Sequence, residues 1–560
     1  MGRALSGAPG SGGGAIPGAR RAAGSAGRRP RPRGSAPPGA CGAAAFLFLL
    51  AGGLPLAVVA ARSVLVDGRL SLDRHAALLA DPRTWHLLGN SLLLAGLATA
   101  GAVLAGVPLA VLLGRTDLPF RGAFLGVFVL PLLLPPPVTA VAWRDLFLPR
   151  GPVARVLGAG VAARGDDFLA GLPGSAFLHA IIFLPVVIVV GAAALRAVDP
   201  RLEEAARLST GWTGVLLRVS LPLARPGFLA AGLVVFLFSL GEVTVPFLLR
   251  FPVFPAESFT RFTARYDVAG AAAAAAPLLL VVLPAVVAER WFARSGALAS
   301  RPGTDRRSRR IPLGRARLPV AGVVALLAAL VAGAPVAGLA ATASSPSAFR
   351  AALVHGGGSL LRSLAWGAAG ATLLLVGGAL LALCLEAGRH AAALLDGAAT
   401  ALFVLPGTVI GVGLVVAWNR PWAGAVRGTA AILLLGYLAR YLAVPAWITG
   451  AALARVPRSL DEAARVAGAG PWRRALAVRL PLAGRGLAAA WLLAYVFCLR
   501  ETTVSMLAYP PGNDPVTVRL FTLMANGDPA MVAALCLLAA ALVLPPLFGL
   551  GLLARGETWP

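Results

Sequence analysis

Four charged residues sit where the surrounding sequence is apolar. Glu242 lies in the run 228–249, Arg500 and Glu501 in the run 487–508, and Arg440 near the middle of the run 428–451, with Tyr437 and Tyr441 close by. A charge at bilayer depth costs about 2.5–3.5 kcal/mol on insertion scales, so such groups face a bundle interior or a water-filled path. Carboxylates and guanidinium groups placed there can bind, steer or gate an ion. They can also simply pair, Arg440 with Glu501, and fix helix packing; the sequence leaves both readings open. Each glutamate is followed two residues on by a threonine, Thr244 or Thr503. The expectation is that Glu242, Arg440, Arg500 and Glu501 border a translocation path, with Arg500 holding the two carboxylates poised.

Catalytic chemistry has no comparable support. No G-x-x-x-x-G-K-[ST] loop is present, so the chain is not expected to hydrolyse ATP, and no H-E-x-x-H occurs. The five histidines (His75, His86, His179, His355, His390) are scattered. Cys41, Cys384, Cys498 and Cys536 all lie in apolar stretches, where a small buried hydrophobe is the default role. Neither a disulfide nor a metal site is expected, and no catalytic residue is assigned.

The elements that must hold the charged residues are twelve apolar runs, each near the ~20 residues that span hydrocarbon. They fall at 41–61, 88–113, 122–147, 174–195, 228–249 and 270–288, then at 318–341, 364–385, 397–418, 428–451, 487–508 and 529–554. Composition agrees: 58% hydrophobic, 13% charged, mean hydropathy +0.81. The net charge of +27 is carried by arginine alone, since there is no lysine. Prolines inside several runs (Pro131, Pro185, Pro246, Pro406, Pro445) predict kinks.

The fold class is therefore an all-α polytopic membrane protein of about twelve helices. Residues 1–40 are a disordered Arg/Gly/Pro-rich tail by composition. Its arginines flank the run Cys41–Ala61, which is too long for a signal peptide and reads as a first span; no nucleic-acid role is adopted. Residues 41–288 form one half, 289–317 a basic linker, and 318–554 a second half. The linker holds nine arginines, from Arg290 to Arg317, whereas Asp67, Asp73, Asp81, Asp166, Asp167, Asp267, Asp514 and Asp528 fall on the other side. The arginine bias predicts a cytoplasmic amino terminus, and puts the loops 196–227 and 452–486 in the cytoplasm.

Those two loops carry one motif twice. Glu204-Ala205-Ala206-Arg207 is followed by Gly211 and Leu221-Pro222; Glu462-Ala463-Ala464-Arg465 is followed by Gly468 and Leu480-Pro481. Beyond the prolines a constant offset of 259 relates Phe238 to Phe497, Glu242 to Glu501, and Phe262-Thr263 to Phe521-Thr522. Upstream, Phe128-Val129-Leu130-Pro131 recurs as Phe403-Val404-Leu405-Pro406, each proline twelve residues before Trp143 or Trp418. Asp199-Pro200 supplies a helix cap in the first loop, and Ser459 with Glu462 has capping-box spacing in the second. The glycine should interrupt the helix and Leu-Pro restart the chain towards the membrane.

This pattern resembles the cytoplasmic loop of ABC-importer permeases, and two copies in one chain are similar to the fused permeases of the iron(III) and thiamine type. The resemblance covers nearly everything from Cys41 to Ala554. It departs in the first copy, where Thr210 stands in place of Gly468 and Gly211 comes one step late. The resemblance implies that Glu204, Ala205, Ala206, Gly211 and Pro222, with Glu462, Ala463, Ala464, Gly468 and Pro481, form coupling helices for a cytoplasmic ABC ATPase dimer. ATP and magnesium would then sit on that partner, with no cofactor in this chain. An extracytoplasmic solute-binding protein would deliver cargo to a permease embedded in inner-membrane lipid. The stretch Tyr509-Pro510-Pro511-Gly512, leading to Val518-Arg519-Leu520-Phe521-Thr522, resembles the iron(III) branch. Thiamine and aminoethylphosphonate importers share the architecture. From another class, an ion-gradient-driven secondary transporter also has duplicated halves.

Overall fold

An apolar segment in hydrocarbon must satisfy every backbone N–H and C=O internally, and helix is the solution these runs adopt. The computed structural model describes residues 36–66, 69–149, 151–265, 267–295, 310–388 and 390–556. The tail expectation for 1–40 therefore lies mostly outside the described residues, as does the middle of the linker 289–317. Among the described residues, eight single helices and four bent pairs are long and apolar enough to cross a membrane. In chain order they are α1 (Ala40–Val64), α2 (Pro82–Arg115), α3 (Arg121–Leu133 with Pro136–Leu157), α4 (Leu172–Arg196), α5 (Trp212–Gly241) and α6 (Val268–Phe292). The second half gives α7 (Gly314–Thr342), α8 (Pro346–Glu386), α9 (His390–Val404 with Gly407–Trp418), α10 (Ala430–Tyr441 with Ala443–Arg455), α11 (Pro471–Leu482 with Gly484–Arg500) and α12 (Pro529–Leu553). Each answers to one of the twelve apolar runs. Among the described residues, apart from a two-residue ladder between Leu65–Val66 and Arg69–Leu70 and a single bridge between Thr116 and Ile311, the fold is all-α.

Proline placement is regular. Four five-residue π-turns, Leu49–Gly53, Leu216–Ser220, Ala329–Gly333 and Ala475–Arg479, each end two residues before a proline: Pro55, Pro222, Pro335 and Pro481. Proline lacks an N–H and its ring crowds the carbonyl four residues back; widening the preceding turn relieves both. This corrects the expected restart at Leu-Pro. In the first half the helix already begins at Trp212 and absorbs Pro222 without a break. In the second it begins at Pro471 and bends by 79° around Ala483, just beyond Pro481.

The third span of each half is broken rather than kinked, turning by 104° in α3 and 109° in α9. The second segments start from prolines in matching backbone conformation, Pro135 (φ −57°, ψ 134°) and Pro406 (φ −53°, ψ 130°). Pro406 is therefore the counterpart of Pro135, while Pro131 lies inside a helix. The shared proline-to-tryptophan spacing matches in sequence but not in geometry.

The two halves exchange their first spans. α1 packs against α8 and α9 of the second half, and α7 against α3 and α12. Glycines allow the approach: a Cβ on Gly413 would stand 3.1 Å from the Pro55 carbonyl oxygen, and one on Gly338 would stand 2.9 Å from Leu146 and 3.3 Å from the Ala142 oxygen. A disulfide joins Cys41 of α1 to Cys384 of α8, with Cα atoms 5.6 Å apart, contrary to the expectation of unpaired thiols. An apolar context does not keep two thiols apart once the exchange brings their helices together.

Candidate functional site

The helices of α5 and α11 stop at the residue before each glutamate. Gly241 ends one and Arg500 the other; Glu242 and Glu501 are extended, and short helices resume at Thr244–Leu248 and Thr503–Ala508. Each carboxylate caps the helix that follows it. Glu242 Oε1 accepts from the Thr244 N–H at 2.8 Å and Oε2 from the Val245 N–H at 2.9 Å, while Glu501 Oε1 accepts from the Val504 N–H at 2.8 Å. The remaining donors come from the fourth span of the same half. His179 presents Nε2 to Glu242 at 3.0 Å and Nδ1 to the Ser239 hydroxyl at 2.7 Å. Arg440 Nη1 lies 3.3 Å from Glu501 Oε1, and the Tyr441 hydroxyl donates to Oε2. All four carboxylate oxygens thus have donors within the chain.

In the sequence His179 is one of five scattered histidines. The signal was positional: it stands six residues before Pro185, and Arg440 stands five before Pro445, so each fourth run carries one base at almost the same place.

Glu242, Arg440, Arg500 and Glu501 all line one cavity of about 60 Å³ between the halves, together with Tyr441 and Thr503. The structure places the four around one cavity, but Arg500 does not hold the carboxylates. Its guanidinium lies 5.8 Å from the Phe497 ring centroid, and among the described residues no carboxylate is within ion-pair distance of it. Phe403 closes the floor of this cavity. It packs against Phe238 at 5.2 Å, Phe497 at 6.0 Å, Tyr441 at 6.2 Å and Trp447 at 5.9 Å between ring centroids. Phe238 and Phe497 are mates in the repeat, so a symmetric pair of rings flanks one unpaired ring.

On the other side of Phe403 is a larger cavity of about 520 Å³, lined by Val186, Val190 and Val234 of the first half and Val404 and Trp447 of the second. At its rim Arg290 donates to the Thr400 hydroxyl at 2.6 Å and lies 3.7 Å from Asp396, whose Oδ1 accepts from Trp447 Nε1 at 3.1 Å. The arrangement is a small charged chamber and a wide apolar one, separated by an aromatic plug.

The two motif loops form short helices, Pro200–Arg207 and Arg458–Val466. Asp199 caps the first by accepting from the Arg201 N–H at 2.9 Å. The capping box expected in the second does not form: Pro457 holds the cap position and Ser459 falls inside the helix. Their exits differ. Gly468 is left-handed (φ +81°) and the Ala469 N–H reaches back to the Ala464 oxygen at 3.0 Å, a glycine-terminated helix end. The first loop is one residue shorter and closes with the Thr210 N–H on the Ala206 oxygen, with no residue in the left-handed region. Gly211 (φ −74°, ψ 175°) precedes the next helix just as Gly470 (φ −64°, ψ 164°) does. Gly470, not Gly468, is therefore its counterpart.

Both helices are anchored by a charge one residue before the motif glutamate, buried in the first (Glu203) and half-buried in the second (Asp461). Glu203 pairs with Arg115 at the end of α2 and accepts from the Ser220 hydroxyl at 2.7 Å. Asp461 lies 3.4 Å from Arg474, while Arg479, at the position of Ser220 in the repeat, pairs with Glu386 at the end of α8. Glu204, Ala205, Glu462 and Ala463 face out, as do Pro222 and Pro481, with Ala206 and Ala464 half-buried. Four apolar side chains at matching places are also exposed: Leu202 (50%) and Leu208 (91%), Leu460 (43%) and Val466 (87%). They lie two residues before and four after each motif glutamate, a pattern the sequence showed but the motif drew attention away from.

The family described as "binding-protein-dependent transport system inner membrane component" matches residues 374–556. A molybdenum transport system permease protein, ModB, of Azotobacter vinelandii is 33% identical over 160 residues, covering 28% of this chain and 68% of the relative. A putative ferric transport system permease protein of Haemophilus influenzae is 24% identical over 461 residues, covering 78% of this chain and 72% of the relative. A probable molybdenum ABC transporter permease protein of Haloferax volcanii is 34% identical over 163 residues, covering 29% of this chain; the chain spans 58% of that relative's length. Twelve apolar helices in two exchanged halves, the doubled loop and these likenesses agree: the chain belongs to the family of binding-protein-dependent inner-membrane components, the multi-pass permeases of ABC importers.

Proposed function

We propose that this chain supplies both permease halves, 41–288 and 318–554, of an ATP-driven, binding-protein-dependent importer. The single observation that carries this is the matched pair of exposed apolar residues on each loop helix, Leu202 with Leu208 and Leu460 with Val466. Singly exposed apolar residues are ordinary, but their recurrence at equivalent places on two loops supports docking of two copies of one partner. The partner is a cytoplasmic ABC ATPase dimer. Its closure pulls the buried anchors Glu203–Arg115 and Arg479–Glu386, and with them the ends of α2 and α8. An extracytoplasmic binding protein serves the opposite face, and the amino terminus is cytoplasmic. The wide cavity beyond Phe403 is lined by the end of α4 that leads into the first loop, together with Arg290 and Asp396, which supports reading it as the cytoplasmic side of the plug.

For cargo, iron(III) is the narrower reading, supported by the outer stretch around Tyr509–Gly512 and by the long alignment with the ferric relative. Because every oxygen of Glu242 and Glu501 already has a donor, iron would pass with its own anionic ligands rather than as a bare cation. Uptake into right-side-out vesicles loaded with ATP tests the proposal. Uptake should require ATP and the cognate binding protein and survive a proton ionophore. Uptake driven by an ion gradient without ATP would make the chain a secondary transporter instead.

A further inference from the structure

Two carboxylates, Glu242 and Glu501, and two guanidinium groups, Arg440 and Arg500, line the chamber at the half interface, and among the described residues only one of the guanidinium groups is in an ion pair. Glu242 is satisfied by His179 and two backbone N–H groups, and Glu501 by Arg440, Tyr441 and one backbone N–H. Arg440 is spent on Glu501. Arg500 is left, half-buried, lining the cavity without an anionic partner among the described residues. The Thr503 hydroxyl beside it also lines the cavity and makes no hydrogen bond within the described residues.

The repeat shows that the fold does not require this cation. Gly241 stands in the first half where Arg500 stands in the second, and the same helix stop, glutamate cap and restarted helix form around it. A guanidinium at a helix carboxyl end gains a little from the helix dipole, but the first half builds the same end without one. The broken third spans add to the positive field. Pro136 at the start of the second helix of α3 lines the cavity, and Gly407 at the start of the second helix of α9 abuts Arg440 and Thr503. Helix amino ends directed into a membrane cavity favour negative charge. The volume, about 60 Å³, holds about four waters, which suits one compact ion.

We propose that this chamber is an oxyanion subsite, with Arg500 as its cation and the Thr503 hydroxyl as a neutral donor, where the cargo or its anionic group is held above the Phe403 plug. That the bound anion is cargo rests on the importer reading; the binding itself does not. A free inorganic oxyanion and the phosphonate group of an organic solute share this chemistry, and the probes separate them. The full chain in detergent is melted in molybdate, phosphate or 2-aminoethylphosphonate, each against chloride at equal ionic strength. At least one probe should raise the melting temperature of the unaltered chain. Molybdate or phosphate acting alone marks a free ion, and 2-aminoethylphosphonate acting alone marks an organic solute. Half-saturation should weaken at least tenfold in Arg500→Gln and less in Arg500→Lys. Thr503→Val should weaken it several-fold with melting in chloride unchanged, which keeps the test informative if Arg500→Gln fails to fold. No shift with any probe, or an equal shift in Arg500→Gln or Thr503→Val, overturns the subsite. Co-purification of an ATPase, scored on the same preparations, is unaffected by that outcome; its loss with anion binding intact would sink the importer reading instead.

Discussion

Glu501 draws on a guanidinium, a phenol and a backbone N–H, whereas Glu242 draws on an imidazole and two backbone N–H groups. Removing one partner of a buried pair strands the other, which costs about 3–5 kcal/mol. Arg440→Met should therefore lower the melting temperature sharply, and Arg440→Met with Glu501→Gln should recover part of the loss. Rescue belongs to Arg440 and not to Arg500, because only Arg440 reaches the carboxylate. His179→Phe should cost less, about 1–3 kcal/mol, since Glu242 keeps its two backbone donors; a loss equal to that of Arg440→Met would mean that His179 carries more than the hydrogen bond. The Arg440–Glu501 pair was legible as one of two readings because both charges stand out in apolar sequence. The His179–Glu242 pair was not, since a histidine reads as a minor polar interruption and its counterpart, Arg440, is a different residue type.

A helix end is decided by one or two backbone angles, and there the two loops part company. Gly468 holds φ +81°, a conformation that costs an L-residue about 1–2 kcal/mol, whereas Gly211 at φ −74° does not need to be glycine. Gly468→Ala should weaken ATPase association and transport while Gly211→Ala leaves both near normal; equal sensitivity would mean that the exits of the two loops are not distinct. Glu462→Arg should uncouple transport while the chain still inserts, because Glu462 is exposed. The twelve spans were legible because length and hydropathy alone set them. The 109° break falls at Pro406, where a kink was legible though not its size; the 104° break was not, since Pro131 stays inside a helix and the turn comes at Leu134–Pro135. The capping box failed because Pro457 takes the cap position before Ser459 can.

At the scale of the whole molecule, exchanged first spans and a plug shared by both halves make the two halves one unit, and the loops lie at one end of it. In a chain with its four cysteines replaced by alanine, Ser209→Cys should react with an impermeant thiol reagent only from the cytoplasmic face, and Asn513→Cys only from outside; the reverse would invert the topology. Ser258, in a segment expected outside, is a poor reporter because it is fully buried and donates to the Ala271 oxygen at 3.0 Å. The repeat was legible from its offset of 259, but the exchange of α1 and α7 was not, because nothing in a span's composition names the half it packs against. In the proposed importer, two loops of one chain dock two ATPase subunits through Leu208 and Val466. The measurement that reaches it most directly is co-purification of the ABC ATPase with the unaltered chain and with Leu208→Glu plus Val466→Glu, positions too exposed to affect folding. The ATPase should accompany the unaltered chain and be lost from the double variant at equal permease yield; an ATPase that stays bound to the double variant, or never accompanies either, would contradict the account.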